Sequence, residues 1–123
     1  MQGMFEIRRK HIEPDVFVVQ PVGRLTMGRP CQEIEWLVDE LVRGNIRKLV
    51  MDLGGVERVD STGIGVIVTS SAKFKKASGE MRVCGVKGMV RDMMHTANIH
   101  RIISFYETME EAAASFDASA TQG

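Results

Sequence analysis

Asp60-Ser61-Thr62-Gly63-Ile64-Gly65-Val66-Ile67-Val68-Thr69-Ser70-Ser71-Ala72 decides how this chain folds, because it admits two readings. Ile64, Val66 and Val68 alternate as in a strand, and β-branched residues favour strands. Ile64, Ile67, Val68, Ser71 and Ala72 also share one face of a helix. The helix is the better fit. The segment runs on unbroken through Lys73, Lys75 and Lys76, cations suited to the negative end of a helix, and Gly79 follows as a stop.

Upstream, Leu49-Val50-Met51 is a continuous apolar run inside Ile46 to Leu53, the mark of a strand covered on both faces. Before it, Cys31, Ile34, Leu37, Val38, Leu41 and Val42 recur at helical spacing. Pro30 suits the start of that helix, and Arg43 with Gly44-Asn45 its end. A helix leading into a buried strand is a βαβ-type crossover. Phe5 and Ile7 suggest a first strand, Pro14-Asp15 a turn, and Val16 to Val19 a second strand stopped by Pro21, together an antiparallel hairpin.

Downstream, Met81 to Cys84 reads as a short strand, and Val90, Met93, Met94 and Ala97 as a third helix stopped at Asn98. Ile102-Ile103 is expected to form a brief edge strand. Thr108 and Glu111 form a capping box, opening a last helix buried through Met109, Ala112, Ala113 and Phe116. The expected fold is α/β: one domain over 4–116, with a mixed β-sheet opened by an antiparallel hairpin and about four helices. A flexible tail is expected over 117–123.

The 123 residues, 44% hydrophobic and 26% charged, suffice for one real core. Sixteen basic residues balance sixteen acidic ones, which argues against nucleic-acid binding by bulk electrostatics. No apolar stretch approaches the roughly 20 residues of a spanning helix, and Met1 to Glu6 shows no signal-peptide pattern. A cytoplasmic protein with no membrane insertion is expected. Cys31 and Cys84, far apart in sequence, are read as two free, buried thiols.

The familiar catalytic patterns are missing. His11, His95 and His100 show no ligand spacing, and Ser61 lies outside a Gly-x-Ser-x-Gly elbow. There is neither a P-loop nor a complete dinucleotide fingerprint. No enzyme, metal or cofactor is therefore expected. What remains is Asp60-Ser61-Thr62-Gly63-Ile64-Gly65 at a helix entrance. Ser61 is a natural N-cap, and a helix N-terminus tolerates a phosphate. A phosphoryl group on Ser61 would add about −1.5 to −2 charge at pH 7, beside Asp60. The glycines at 63 and 65 permit close approach by a partner. The plainer reading, common cap chemistry with turn glycines, stays open on the residues alone.

The chain resembles the STAS domain over residues about 4 to 116, and most closely the bacterial anti-sigma factor antagonists. Val59-Asp60-Ser61-Thr62-Gly63-Ile64-Gly65-Val66 resembles the family's phosphorylation motif. Val22-Gly23-Arg24-Leu25, Leu49-Val50-Met51-Asp52-Leu53 and Gly79-Glu80-Met81-Arg82-Val83-Cys84 match around it in order and spacing. The resemblance implies a protein that binds an anti-sigma factor with serine kinase activity and so frees a sigma factor. It implies release on phosphorylation of Ser61 and resetting by a phosphatase. Asp60 would shape the acceptor loop, and Gly63, Ile64 and Gly65 would meet the kinase, with Thr62 a lesser candidate acceptor.

One position departs from the family. Where members often carry an acid after the second strand, this chain has Thr26, itself a lesser candidate acceptor. Met27 beside it offers an adaptable contact, as does Met89, whereas Met93 and Met94 are assigned to the core. Two alternatives remain: a constitutive structural STAS subunit of a signalling scaffold or lipid transporter, and a small-ligand or nucleotide-binding module using the amides of Thr62 to Gly65.

Overall fold

The computed structural model describes the backbone of residues 4–122 and the side chains of residues 4–117. Two strands, β1 (Phe5–Ile12) and β2 (Val16–Leu25), form the expected antiparallel hairpin, with Ile12 opposite Val16 and Phe5 opposite Gly23. Helix α1 (Arg29–Arg43) then crosses over to β3 (Lys48–Asp52), which lies parallel to β2. After β4 (Val56–Val59) come α2 (Ser61–Lys76), β5 (Glu80–Cys84) and α3 (Gly88–Thr96). A 3-10 turn (Ile99–Arg101), β6 (Phe105–Tyr106) and α4 (Met109–Gln122) complete the chain. The sheet is mixed and six-stranded, in the order β1-β2-β3-β5-β6, with β4 paired to the far end of β2.

Strand alternation splits the core in two. Phe5, Ile7, Phe17, Val19, Leu25, Leu49, Met51, Met81 and Val83 face α1 and α2, whose Ile34, Val38, Ile67 and Phe74 are all but sealed from solvent. On the opposite face, Val16, Val18, Val50 and Cys84 pack under Ala112, Ala113 and Phe116 of α4. Burying Leu, Ile, Val and Phe side chains at about 1.5–3 kcal/mol each is what holds the layers together. Lys73 adds a polar tie, its Nζ 2.8 Å from Asp39 Oδ1 across α1 and α2. The capping box forms as read: Glu111 N donates to Thr108 Oγ1 (3.1 Å), and Thr108 N to Glu111 Oε1 (3.3 Å). Met94 is buried and Met93 packs against the core.

Three features differ from the sequence reading. β2 does not stop at Pro21 but continues to Leu25. Gly23 N donates to Gly55 O on the β4 side, so the N–H that Pro21 lacks falls on that same edge. There β3 has paired with residues up to Val19 and β4 starts only at Gly23, so no ladder bond is lost. Val56–Val59, which the sequence reading does not include among its strands, is a strand. The expected strand at Ile102-Ile103 is instead the exit of the 3-10 turn, and the strand follows at Phe105–Tyr106, parallel to β5. Ile103 supplies core rather than ladder, being buried. At the C-terminus α4 continues to Gln122, while the side chains from 118 onward lie outside the described residues.

Candidate functional site

Leu25 and Val59 are register partners at the ends of β2 and β4, so the segments that follow them emerge side by side. One carries Thr26-Met27-Gly28 and the other Asp60-Ser61. Asp60 is the N-cap of α2, in an extended conformation (φ −108°, ψ −175°). Its Oδ1 accepts from Gly63 N at 2.8 Å and its Oδ2 from Met27 N at 2.9 Å. A single carboxylate thus closes the helix end and ties it to the other loop.

This corrects the assignment of Ser61 as the cap. Asp caps a helix as well as Ser does, and its second oxygen reaches the amide of Met27 as well. Ser61 is instead the first helical residue. Ser61 and Thr62 are exposed, and their hydroxyls bond to none of the described residues.

The electrostatics follow from the same contacts. Partial burial pushes the Asp60 carboxyl up, but bonds from the backbone amides of Met27, Gly63, Asp60 itself and Thr62 outweigh it. The net result holds Asp60 below the usual carboxylate range, so it is ionised at neutral pH. Gly63 N is taken by this carboxylate, and Ile64 N donates to Asp60 O at 3.0 Å. The helix end therefore already holds an anion, its own.

The two glycines differ in role. A Cβ on Gly63 would run into the carbonyl oxygen of Leu25 and the side chain of Val59, so only glycine lets the helix seat against β2. Gly65 is exposed, and a Cβ there would meet nothing within 4 Å. Ile64 between them is half-buried against the core. Met27 is 74% exposed on the adjoining loop and Thr26 is half-buried. The structure so gathers Thr26, Met27 and Asp60 to Gly65 around one corner. Met89 is also exposed, on the first turn of α3.

Concave spaces lie elsewhere, such as a groove of about 610 Å³ lined by Asp52, Gly85, Lys87 and Thr108. At the corner itself Met27, Ser61, Thr62 and Gly65 are exposed. Sequence reasoning missed the link from Asp60 to the Met27 amide. It also missed the pairing of Arg24 with Arg58 just below the site, because neither is visible until β4 is placed in register.

The model of the STAS domain family matches residues 8–112. A protein of Thermotoga maritima, provisionally named an anti-sigma factor antagonist, is 27% identical over 101 residues, spanning 82% of this chain and 89% of the relative. A crystal structure from the same organism, described in the same terms, superposes with a TM-score of 0.81 at 25% identity, covering 89% of this chain and 92% of the other. The Bacillus cell fate determinant SpoIIAA, solved in its phosphorylated form, shares the fold with a TM-score of 0.71 at 13% identity, covering 90% and 99%.

Proposed function

The chain belongs to the STAS domain family, and from that membership we propose that it is an anti-sigma factor antagonist switched by phosphorylation of Ser61. In the unmodified form it binds an anti-sigma factor that is also a serine kinase. One observation carries the reading: the Ser61 hydroxyl is exposed at the start of α2 and bonds to none of the described residues, because Asp60 has taken the cap.

The chemistry is a phosphoryl transfer from ATP bound by the partner. Ser61 Oγ forms the new P–O bond, its proton leaves to a base or solvent, and ADP departs. The phosphoserine carries about −1.5 to −2 charge at pH 7. The ionised Asp60 stands beside it and already occupies the amide of Gly63. The helix dipole tolerates the added charge, so the fold survives. The charge itself stays turned outward, where it opposes rebinding of the surface that delivered it. A phosphatase restores the hydroxyl.

Binding of the purified chain to its cognate anti-sigma factor, measured by calorimetry, tests this. Ser61→Ala is expected to bind like the wild type, and Ser61→Asp to lose affinity by about tenfold or more, the scale of a like charge brought into an interface. Thr62→Ala is expected to leave both binding and modification in place. Equal affinity of Ser61→Ala and Ser61→Asp sinks the switch.

One observation favours a second reading, a constitutive structural subunit of a scaffold or transporter. Thr26 stands where an acid would help expel a phosphate, and it supplies no charge. Co-purification of the unmodified chain with a transport ATPase would support that role. The small-anion reading is disfavoured, since two of the amides it needs, Gly63 N and Ile64 N, are already bonded.

A further inference from the structure

Among the described residues, helix α4 covers only part of its face of the sheet. It packs on β3, β5 and β6 and reaches Val16 and Val18 at the start of β2. Alternation places Gln20, Val22 and Arg24 on that same face beyond it. The register sets Lys10 opposite Val18, and Arg58 opposite Arg24 on the other side. Among the described residues, the face beyond α4 is thus edged by Glu6, Arg8 and Lys10 of β1 and by Arg24 and Arg58, around the half-buried Gln20 and Val22.

Three of these cations, Lys10, Arg24 and Arg58, are uncompensated among the described residues: none of the three forms an ion pair, whereas the neighbouring Arg8 is held by Glu6 at 2.8 Å. Of the acids on this face, Glu6, opposite Val22, is held by Arg8, and Asp52 is committed to Gln20 Nε2 (2.9 Å) and Gly54 N (3.0 Å). Arg24 and Arg58 stand side by side on adjacent strands, at a spacing of about 4.8 Å between strands. Like charges directly opposite destabilise a sheet. Each arginine also lies two residues before the switch corner, Arg24 before Thr26 and Arg58 before Asp60.

We propose that this uncovered face receives an acidic segment of the protein that engages Ser61, so that Lys10, Arg24 and Arg58 meet carboxylates while Val22 gives an apolar floor. The inference rests on the partner-binding reading above in taking the occupant for a protein. Nucleic acid fits less well. Three cations fall short of the roughly 6–10 phosphate contacts of a DNA-binding surface, and the chain carries no net charge.

An oligoglutamate peptide titrated into the isotopically labelled full chain, followed by amide chemical shifts, tests this without the natural partner. Shifts are expected at Lys10, Val22, Arg24 and Arg58, and to vanish at about 1 M salt, where the screening length is about 3 Å. Arg24→Glu places an acid opposite Arg58, so it is expected to melt no lower than wild type while peptide affinity falls roughly tenfold. Ser61→Asp is expected to keep peptide binding, which separates this test from that of the switch. Absent shifts, shifts centred on Arg43, Lys75 and Lys76 at the other end of the helices, or tighter binding at this face by duplex DNA of matched charge would each overturn the proposal.

Discussion

Asp60 does two jobs with one carboxylate, capping α2 and tethering Met27. Asn at this position keeps one acceptor oxygen but turns an NH₂ toward the second amide. Asp60→Asn is expected to cost about 1–2 kcal/mol in urea unfolding at pH 7. The pH dependence has a definite sign. The folded carboxyl lies below its usual value of 3.8, so its stabilisation is complete above that value and is lost as pH falls through the lowered one. The stability gap between wild type and Asp60→Asn should therefore close on acidification below about pH 4. A gap that stays constant from neutral to strongly acid pH would contradict the assignment.

Cys84 shows the reverse case. Burial, then Asp52 and the hydrogen bond to it, push its thiol up to about 12. Burial likewise raises Cys31, with Asp60 and Glu35 adding to it. Neither thiol is expected to react with a disulfide reagent at pH 8 in the native protein, and both should react in denaturant. Rapid native labelling of either would contradict the packing. At this scale the residue types of the site were legible and their division of labour was not. Asp60 and Ser61 are equally good caps by type, and only the position of the Met27 amide favours the aspartate.

At the scale of the element, α2 carries two glycines with opposite consequences. Gly65→Ala adds a methyl into open space on an exposed helix position, so it is expected to stabilise the fold by about 0.5–1 kcal/mol in thermal or urea unfolding. If Gly65 is part of the partner surface, the same variant weakens anti-sigma binding while the protein itself becomes more stable. Gly63→Ala pushes a methyl into Leu25 O and is expected to destabilise by about 1–3 kcal/mol. A neutral Gly63→Ala would contradict the close seating of α2 on β2. The first three helices were legible because each shows apolar residues at helical spacing closed by a stop signal, and the last because its capping box marks the start. β4 was not, because Glu57 and Arg58 are both exposed where a strand's alternation would bury one, and the register shifts beside them. Pro21 looked like a strand end because a sequence does not reveal which edge of a strand goes unpaired.

For the whole molecule, local periodicity supports a hairpin, crossover helices and a covered strand. The order of six strands, with β4 set on the far end of β2, is a matter of long-range register that periodicity does not carry. That order brings the loop after β2 against the start of α2 and, among the described residues, leaves part of one sheet face bare. The fold class was also carried by a run of motifs in matching order, and a STAS model matching residues 8–112 bears it out. The switch at Ser61 stands on the exposed hydroxyl and on the family's motif together. Peptide mass spectrometry of the protein isolated from its native cells, growing and stressed, tests it most directly. A singly phosphorylated fraction mapping to Ser61 is the expected result. A protein unmodified in every growth state, or phosphate confined to Thr62 or Thr26, would contradict it.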